Sequence, residues 1–154
     1  MLLLITYVAI VSTIVIGIAT LGVLTGFRLG RKGFVVDKKD VLVTGAARGI
    51  GRELAKRFAK EGARRLVLWD IDTRALEKTR IDITRNFPNV KVCVRTLDVG
   101  DSEDVRKAFD EVEDGGHLPS VVVNNAGTLS GKTFLQMEEK DVRRTIDTNL
   151  MAHF

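Results

Sequence analysis

Thr44-Gly45-Ala46-Ala47-Arg48-Gly49-Ile50-Gly51 is the stretch on which the reading of this chain turns. A short apolar run, Val41-Leu42-Val43-Thr44, leads into it. After it Ile50, Leu54, Ala55, Phe58 and Ala59 recur at helical spacing to about Glu61, where Gly62 is placed to stop the helix. Between a strand and an amphipathic helix each glycine has a physical task. Gly45 permits the tight turn out of the strand, Gly49 lets backbone approach a pyrophosphate with no Cβ in the way, and Gly51 lets the helix pack close to the strand. The helix start then offers free N–H groups and the positive end of its dipole to phosphates.

Working outward, a second apolar run, Leu66 to Trp69, ends at Asp70, 19 residues beyond Gly51. A carboxylate there accepts hydrogen bonds from the adenosine ribose hydroxyls and repels a 2′-phosphate, so Asp70 favours NAD over NADP. Its competing reading is a helix N-cap or a solvated carboxylate. Arg48 points the other way, as a partner for a 2′-phosphate, against the alternative of a solvated turn arginine. The balance favours NAD, with NADP as the alternative.

The remaining pattern alternates. Leu76, Thr79 and Ile83 share one helical face after Thr73, and Pro88 ends that pattern. Val90, Val92 and Val94 alternate with polar neighbours as a third strand. Asp101 or Ser102 can N-cap a helix bearing Val105, Ala108, Phe109 and Val112, stopped by Gly115 and Gly116. Val121 to Val123 reads as a strand buried on both faces. From about Glu138 a last helix carries Val142, Ile146, Asn149 and Leu150 on one stripe. Four strands alternating with four helices predict an α/β fold, a Rossmann-type parallel sheet with helices on both faces, over 40–154. Asn149, a polar residue on an apolar stripe, is expected to have buried hydrogen-bond partners.

The N-terminus has a different character. Residues 1–27 contain no Asp, Glu, Lys, Arg or His. As a helix they would extend about 40 Å, beyond the ~30 Å hydrocarbon layer of a bilayer. Residues 1–27 are read as a membrane anchor, an N-terminal transmembrane helix, and 28–39 as a basic juxtamembrane segment with Arg28, Arg31, Lys32, Lys38 and Lys39. The positive-inside rule puts the following domain in the cytoplasm. A cleaved signal peptide, a monotopic insertion bent at Gly17, Gly22 or Gly26, and a buried soluble helix are the competing readings. Gly22 and Gly26 have the spacing of a helix-packing face, which would serve a homo-oligomer.

Composition limits the other classes. With 154 residues, 45% hydrophobic and 29% charged, the chain is globular rather than disordered. Its one cysteine, Cys93, excludes an internal disulfide and a cysteine-built zinc site. No His or carboxylate has metal-ligand spacing with His153, so no metal is assigned. The charges interleave without an aromatic-flanked basic stripe, which gives nucleic-acid binding no support.

Gly-x-x-x-Gly-x-Gly differs from the Gly-x-Gly-x-x-Gly fingerprint of other dinucleotide folds. Together with Asp98-Val99 after the third strand and Asn124-Asn125-Ala126-Gly127 after the fourth, it resembles the short-chain dehydrogenase/reductase superfamily. The apolar N-terminus, Leu68-Trp69-Asp70-Ile71, Leu129 to Leu135 and Asn149 to Phe154 resemble its membrane-associated retinol and hydroxysteroid dehydrogenase branch, over the N-terminal half of such a protein. The resemblance implies that Gly45, Gly49, Ile50 and Gly51 hold the pyrophosphate and that Asp70 holds the adenosine ribose. Asp98 would accept from the adenine amino group, and the Val99 backbone would pair with the ring. Asn124 would stitch the central strands, Ala126 and Gly127 would line the cofactor ribose, and Asn149 would be the asparagine of the catalytic tetrad. The implied substrate is an apolar alcohol or ketone such as a retinoid or hydroxysteroid, and the implied location is the endoplasmic reticulum membrane or a lipid-droplet surface.

One departure matters. The family's proton donor is a tyrosine followed four residues later by lysine, and the chain's single tyrosine, Tyr7, is followed at that position by Val11. Two readings stand at this point: a fragment of a membrane-anchored alcohol dehydrogenase, inactive as written, or a non-catalytic membrane protein that binds a dinucleotide or a longer relative.

Overall fold

A computed structural model describes residues 35–153. The membrane anchor, its Gly22/Gly26 pair, Tyr7 and most of the juxtamembrane segment lie outside the described residues. Among the described residues no helix is long and apolar enough to cross a membrane.

The first strand, β1 (Asp40–Thr44), is buried at every position. It feeds the glycine turn and α1 (Gly49–Lys60), and β2 (Arg65–Asp70), α2 (Thr73–Asn86), β3 (Lys91–Thr96), α3 (Ser102–Asp114), β4 (Val121–Val123) and α4 (Glu139–Asn149) follow. Short 3₁₀ turns at Phe134–Gln136 and Met151–His153 flank α4. The sheet order is β3-β2-β1-β4 and every pairing is parallel. The chain therefore reverses direction across the sheet between β1 and β4, leaving a crevice beyond their carboxyl ends, where open α/β sheets bind ligands.

Local chemistry sets the helix limits. Gly62, at φ +86°, turns the chain after α1, and its N–H donates to the Ala59 carbonyl. Asp72 caps α2 by accepting the Ala75 N–H at 2.9 Å, and Asp101 caps α3 by accepting from Glu103 and Asp104. The buried residues of α2 are Leu76, Thr79 and Ile83, the face that the sequence period predicts.

Alternation along β1 divides the core. Val41 and Val43 join Ala55, Ala59, Leu76 and Ile83 on the α1/α2 face, whereas Leu42 joins Val67, Trp69 and Ala108 on the α3 face. Each fully buried Val or Leu contributes about 1.5–3 kcal/mol. Trp69 and Phe109 meet edge to face with ring centres 6.4 Å apart.

Two expectations need correction. Val121–Val123 is not buried on both faces: among the described residues β4 pairs only with β1, and Val122 is half exposed. On α4 the stripe of Val142, Ile146 and Leu150 faces outward, and the buried residue is Thr148. The helix turns its Thr148 side toward the loop at Gly100, where a Cβ would lie 3.5 Å from Thr148 Oγ1. Helical period located the stripe correctly but could not say which stripe the loops after β3 and β4 would receive.

Candidate functional site: the crevice at the strand ends

The glycine turn leaves β1 with Gly45 at φ +65°. The chain bends there against the segment after β4: a Cβ on Gly45 would sit 2.9 Å from Ala126 Cα. At Gly51 a Cβ would lie 2.1 Å from the Gly45 carbonyl oxygen and 2.5 Å from Asn125 Nδ2, so only glycine fits. Gly49 is different: apart from its chain neighbours and its own helix backbone, no described residue lies within 4 Å of its Cβ position, and its φ of +50° is what favours glycine. The space beside Gly49 is open, Ile50 is exposed, and the first turn of α1 presents N–H groups with no partner inside the helix. A cradle floored by glycines, open on the phosphate side and lined by helix N–H groups fits a pyrophosphate.

The turn is held from three directions. Asp70 Oδ2 accepts the Ala47 N–H at 2.9 Å and its Oδ1 accepts the Asp72 N–H at 2.9 Å. Thr79 Oγ1, buried on α2, donates to the Ala47 carbonyl at 3.0 Å. From the segment after β4, Asn125 Nδ2 donates to the Thr44 carbonyl at 2.9 Å and the Gly45 carbonyl at 3.2 Å. Thr44 Oγ1 accepts the N–H groups of Asn125 and Ala126, both at 3.0 Å. The stitch that the resemblance assigns to Asn124 is thus made by Asn125. Successive side chains leaving a strand point to opposite sides, so Asn124 is exposed while Asn125 turns onto β1.

One cleft collects Gly45, Asp70, Asp98, Val99, Ala126 and Gly127 from the ends of all four strands. Asp98 accepts the Gly100 N–H at 2.9 Å, which fixes the loop after β3. Arg144 and Thr148 of α4 also line this cleft. No sequence argument singled them out, because only the folding of α4 against the strand ends brings them there. Arg48 stands at the rim and pairs with Asp72, the cap of α2. Asp72 is held below its ordinary pKa chiefly by the Ala75 N–H, with Arg48 adding to the effect. Asp70 therefore is not the α2 cap; that place belongs to Asp72, which leaves Asp70 at the cleft.

Asn149, the last residue of α4, is exposed rather than buried. Its Oδ1 accepts the Thr128 N–H at 2.7 Å and its Nδ2 donates to the Thr128 carbonyl at 2.9 Å. This two-point bond ties the helix end to the segment after β4. The backbone leaves helical geometry at Leu150, φ −123°, directly after it.

Residues 39–154 match the family model of short chain dehydrogenases, and the chain belongs to that family. It is 35% identical to 17-beta-hydroxysteroid dehydrogenase 13 of Mus musculus over 131 residues, covering 85% of this chain and 42% of that protein. It is 37% identical to epidermal retinol dehydrogenase 2 of Homo sapiens, covering 73% of this chain and 36% of that one. The structure of L-sorbose reductase from Gluconobacter frateurii, complexed with NADPH and L-sorbose, superposes with a TM-score of 0.69 at 29% identity, over 76% of this chain and 44% of that chain. The chain thus spans about two fifths of the curated relatives it matches. Family membership makes NAD(P) the cofactor class of this fold, and the open glycine cradle fits it.

Proposed function

We propose that this chain supplies the dinucleotide-binding half of a membrane-anchored NAD(P)-dependent oxidoreductase acting on an apolar alcohol or ketone, such as a retinoid or hydroxysteroid. The observation that carries the reading is the convergence of Gly45, Asp70, Asp98, Val99, Ala126 and Gly127 on one cleft beyond the carboxyl ends of β1–β4. Gly45, Gly49, Ile50 and Gly51 hold the pyrophosphate, and Asp70 takes the adenosine ribose with lone pairs left after Ala47 and Asp72. Asp98 and the Val99 backbone read the adenine edge, and Ala126 and Gly127 flank the second ribose. When bound, the nicotinamide provides hydride acceptance or donation. Asn149 acts from the end of α4, tied to the Thr128 backbone. Asp70 and the pairing of Arg48 with Asp72 favour NAD over NADP.

The apolar run 1–27, followed by basic residues, supports a membrane anchor with the domain on the cytoplasmic side, at the endoplasmic reticulum or a lipid droplet. Substrate class rests on likeness to the retinol and hydroxysteroid dehydrogenases. Within these 154 residues no tyrosine has a lysine four residues on, and the residues at hand account for dinucleotide binding. Calorimetry on the full chain in detergent tests this: NAD should bind more tightly than NADP, and Asp70→Ala should weaken NAD about tenfold or more through loss of charged hydrogen bonds. Failure of both dinucleotides to bind would overturn the reading.

A further inference from the structure

The starts of the strands carry chemistry that the dinucleotide does not use. In-register parallel pairing sets Asp40, Arg65 and Lys91 side by side at the beginnings of β1, β2 and β3. Lys38 and Lys39, both exposed, lead into β1 at this same end, and the Lys39 carbonyl accepts the Arg64 and Arg65 N–H groups. His117, on the loop after α3, joins them. Arg65, Lys91 and His117 line one end of a groove of about 350 Å³ that runs over Val67 and Cys93 beneath α3.

The carboxylates at hand are already engaged: Glu111, which also lines the groove, pairs with Arg95. Asp40 accepts Arg64 Nε at 2.8 Å and Arg64 Nη2 at 2.7 Å. Among the described residues neither Arg65 nor Lys91 forms an ion pair. Among the described residues Arg65 Nε is buried with no hydrogen-bond partner, an arrangement that costs stability. A separate sign of uncompensated charge comes from His117. Partial desolvation, and then the Arg65 charge, hold it below its ordinary pKa; Lys91 and Arg64 push the same way and Asp40 opposes them.

We propose that this pole binds the phosphate-bearing headgroup of an anionic membrane lipid, with Arg65, Lys91 and His117 as its contacts and Lys38 and Lys39 beside them. The occupant follows from charge and connectivity. The chain enters the domain here, 12 residues after the apolar run ends at Phe27, and the intervening segment adds Arg28, Arg31 and Lys32 to the positive charge of this end of the sequence. Basic side chains near an anionic leaflet each strengthen binding about fivefold.

The proposal rests on the membrane reading above, and one experiment separates the two. Cys93, the single cysteine, lies in the groove and reports its occupancy. The full chain is reconstituted into vesicles of phosphatidylcholine alone or with added phosphatidylserine, and alkylation of Cys93 by N-ethylmaleimide is timed. Co-flotation with both vesicles is expected from the anchor, and its absence would overturn both readings. Phosphatidylserine should slow alkylation about fivefold, and high salt should reverse the effect. Lys91→Gln, at an exposed position that leaves the fold intact, should need about fivefold more phosphatidylserine for equal protection, and Arg65→Gln with Lys91→Gln correspondingly more. Equal rates in the two vesicles would overturn the headgroup site. Equal protection by inorganic phosphate in phosphatidylcholine vesicles would overturn its assignment to a lipid.

Discussion

The two ends of the sheet solve opposite problems with different materials. At the carboxyl ends the chain uses backbone: glycines that leave no room for a Cβ, N–H groups at a helix start, and carboxylates that brace turns. At the amino ends it uses side chains: Arg65 and Lys91 at strand starts, with no ion-pair partner among the described residues, and Arg64, just before β2, paired with Asp40. The first end should therefore fail through steric change and tolerate salt. The second should respond to pH and ionic strength while tolerating changes of shape.

The sharpest way to break this comparison is Gly51→Ala. Its Cβ would meet the Gly45 carbonyl oxygen at 2.1 Å, a backbone atom that cannot rotate aside. We expect a loss of about 3 kcal/mol or more in urea unfolding, with dinucleotide binding abolished. A stable Gly51→Ala protein that still binds NAD would show that the cradle is looser than the geometry states.

Asp40→Asn tests the other end. Asp40 is buried, and the Arg64 hydrogen bonds hold its carboxyl below the usual range against the desolvation that raises it. A carboxylate whose pKa is lower folded than unfolded stabilises the fold above the unfolded value, near 4, and that contribution is lost as pH falls through the folded value. Asp40→Asn should cost about 1–2 kcal/mol at pH 7, discounted because Arg64 is largely exposed, and flatten the fall in stability below about pH 4. Asp82, held at about 2 by Lys56 and then Arg52, keeps part of that acid sensitivity in the variant. An unchanged acid profile would remove the electrostatic account of this pole.

The smallest effect is at the rim of the cleft. Asp72→Ser keeps a good cap for α2 and frees Arg48 from its partner. The ratio of NADP to NAD affinity should move toward NADP by up to about fivefold, the scale of an exposed ion pair, and Arg48→Ala added to Asp72→Ser should cancel the shift. No movement of the ratio would show that Arg48 does not reach the 2′ position.

How far the sequence could be read differs along the chain. The glycine turn, Asp70 and the α2 face were legible because each rests on short-range rules: a turn needs a positive φ, a strand end precedes a helix, a helix repeats every 3.6 residues. Asn125 was misread by one place, since a pair of asparagines gives no sign of which side chain turns toward β1. Thr79 was visible as a core position but not as the residue that pins Ala47. Arg144 and Thr148 gave no signal, because their approach to the cleft depends on how α4 is laid down. The outward stripe of Val142, Ile146 and Leu150 is the reverse case, a correct period with the wrong face assigned.

The sequence by itself determined the alternation of strands and helices, the glycine turn and the acid that follows it, because these depend on neighbours within a few residues. Only the tertiary structure decided which asparagine ties β4 to β1, that Asp72 and not Asp70 caps α2, and that Arg65, Lys91 and His117 meet at one end of a groove. Those outcomes depend on strand register and side-chain direction across the sheet. Pairing between strands far apart in the chain fixes both, and no local pattern encodes them.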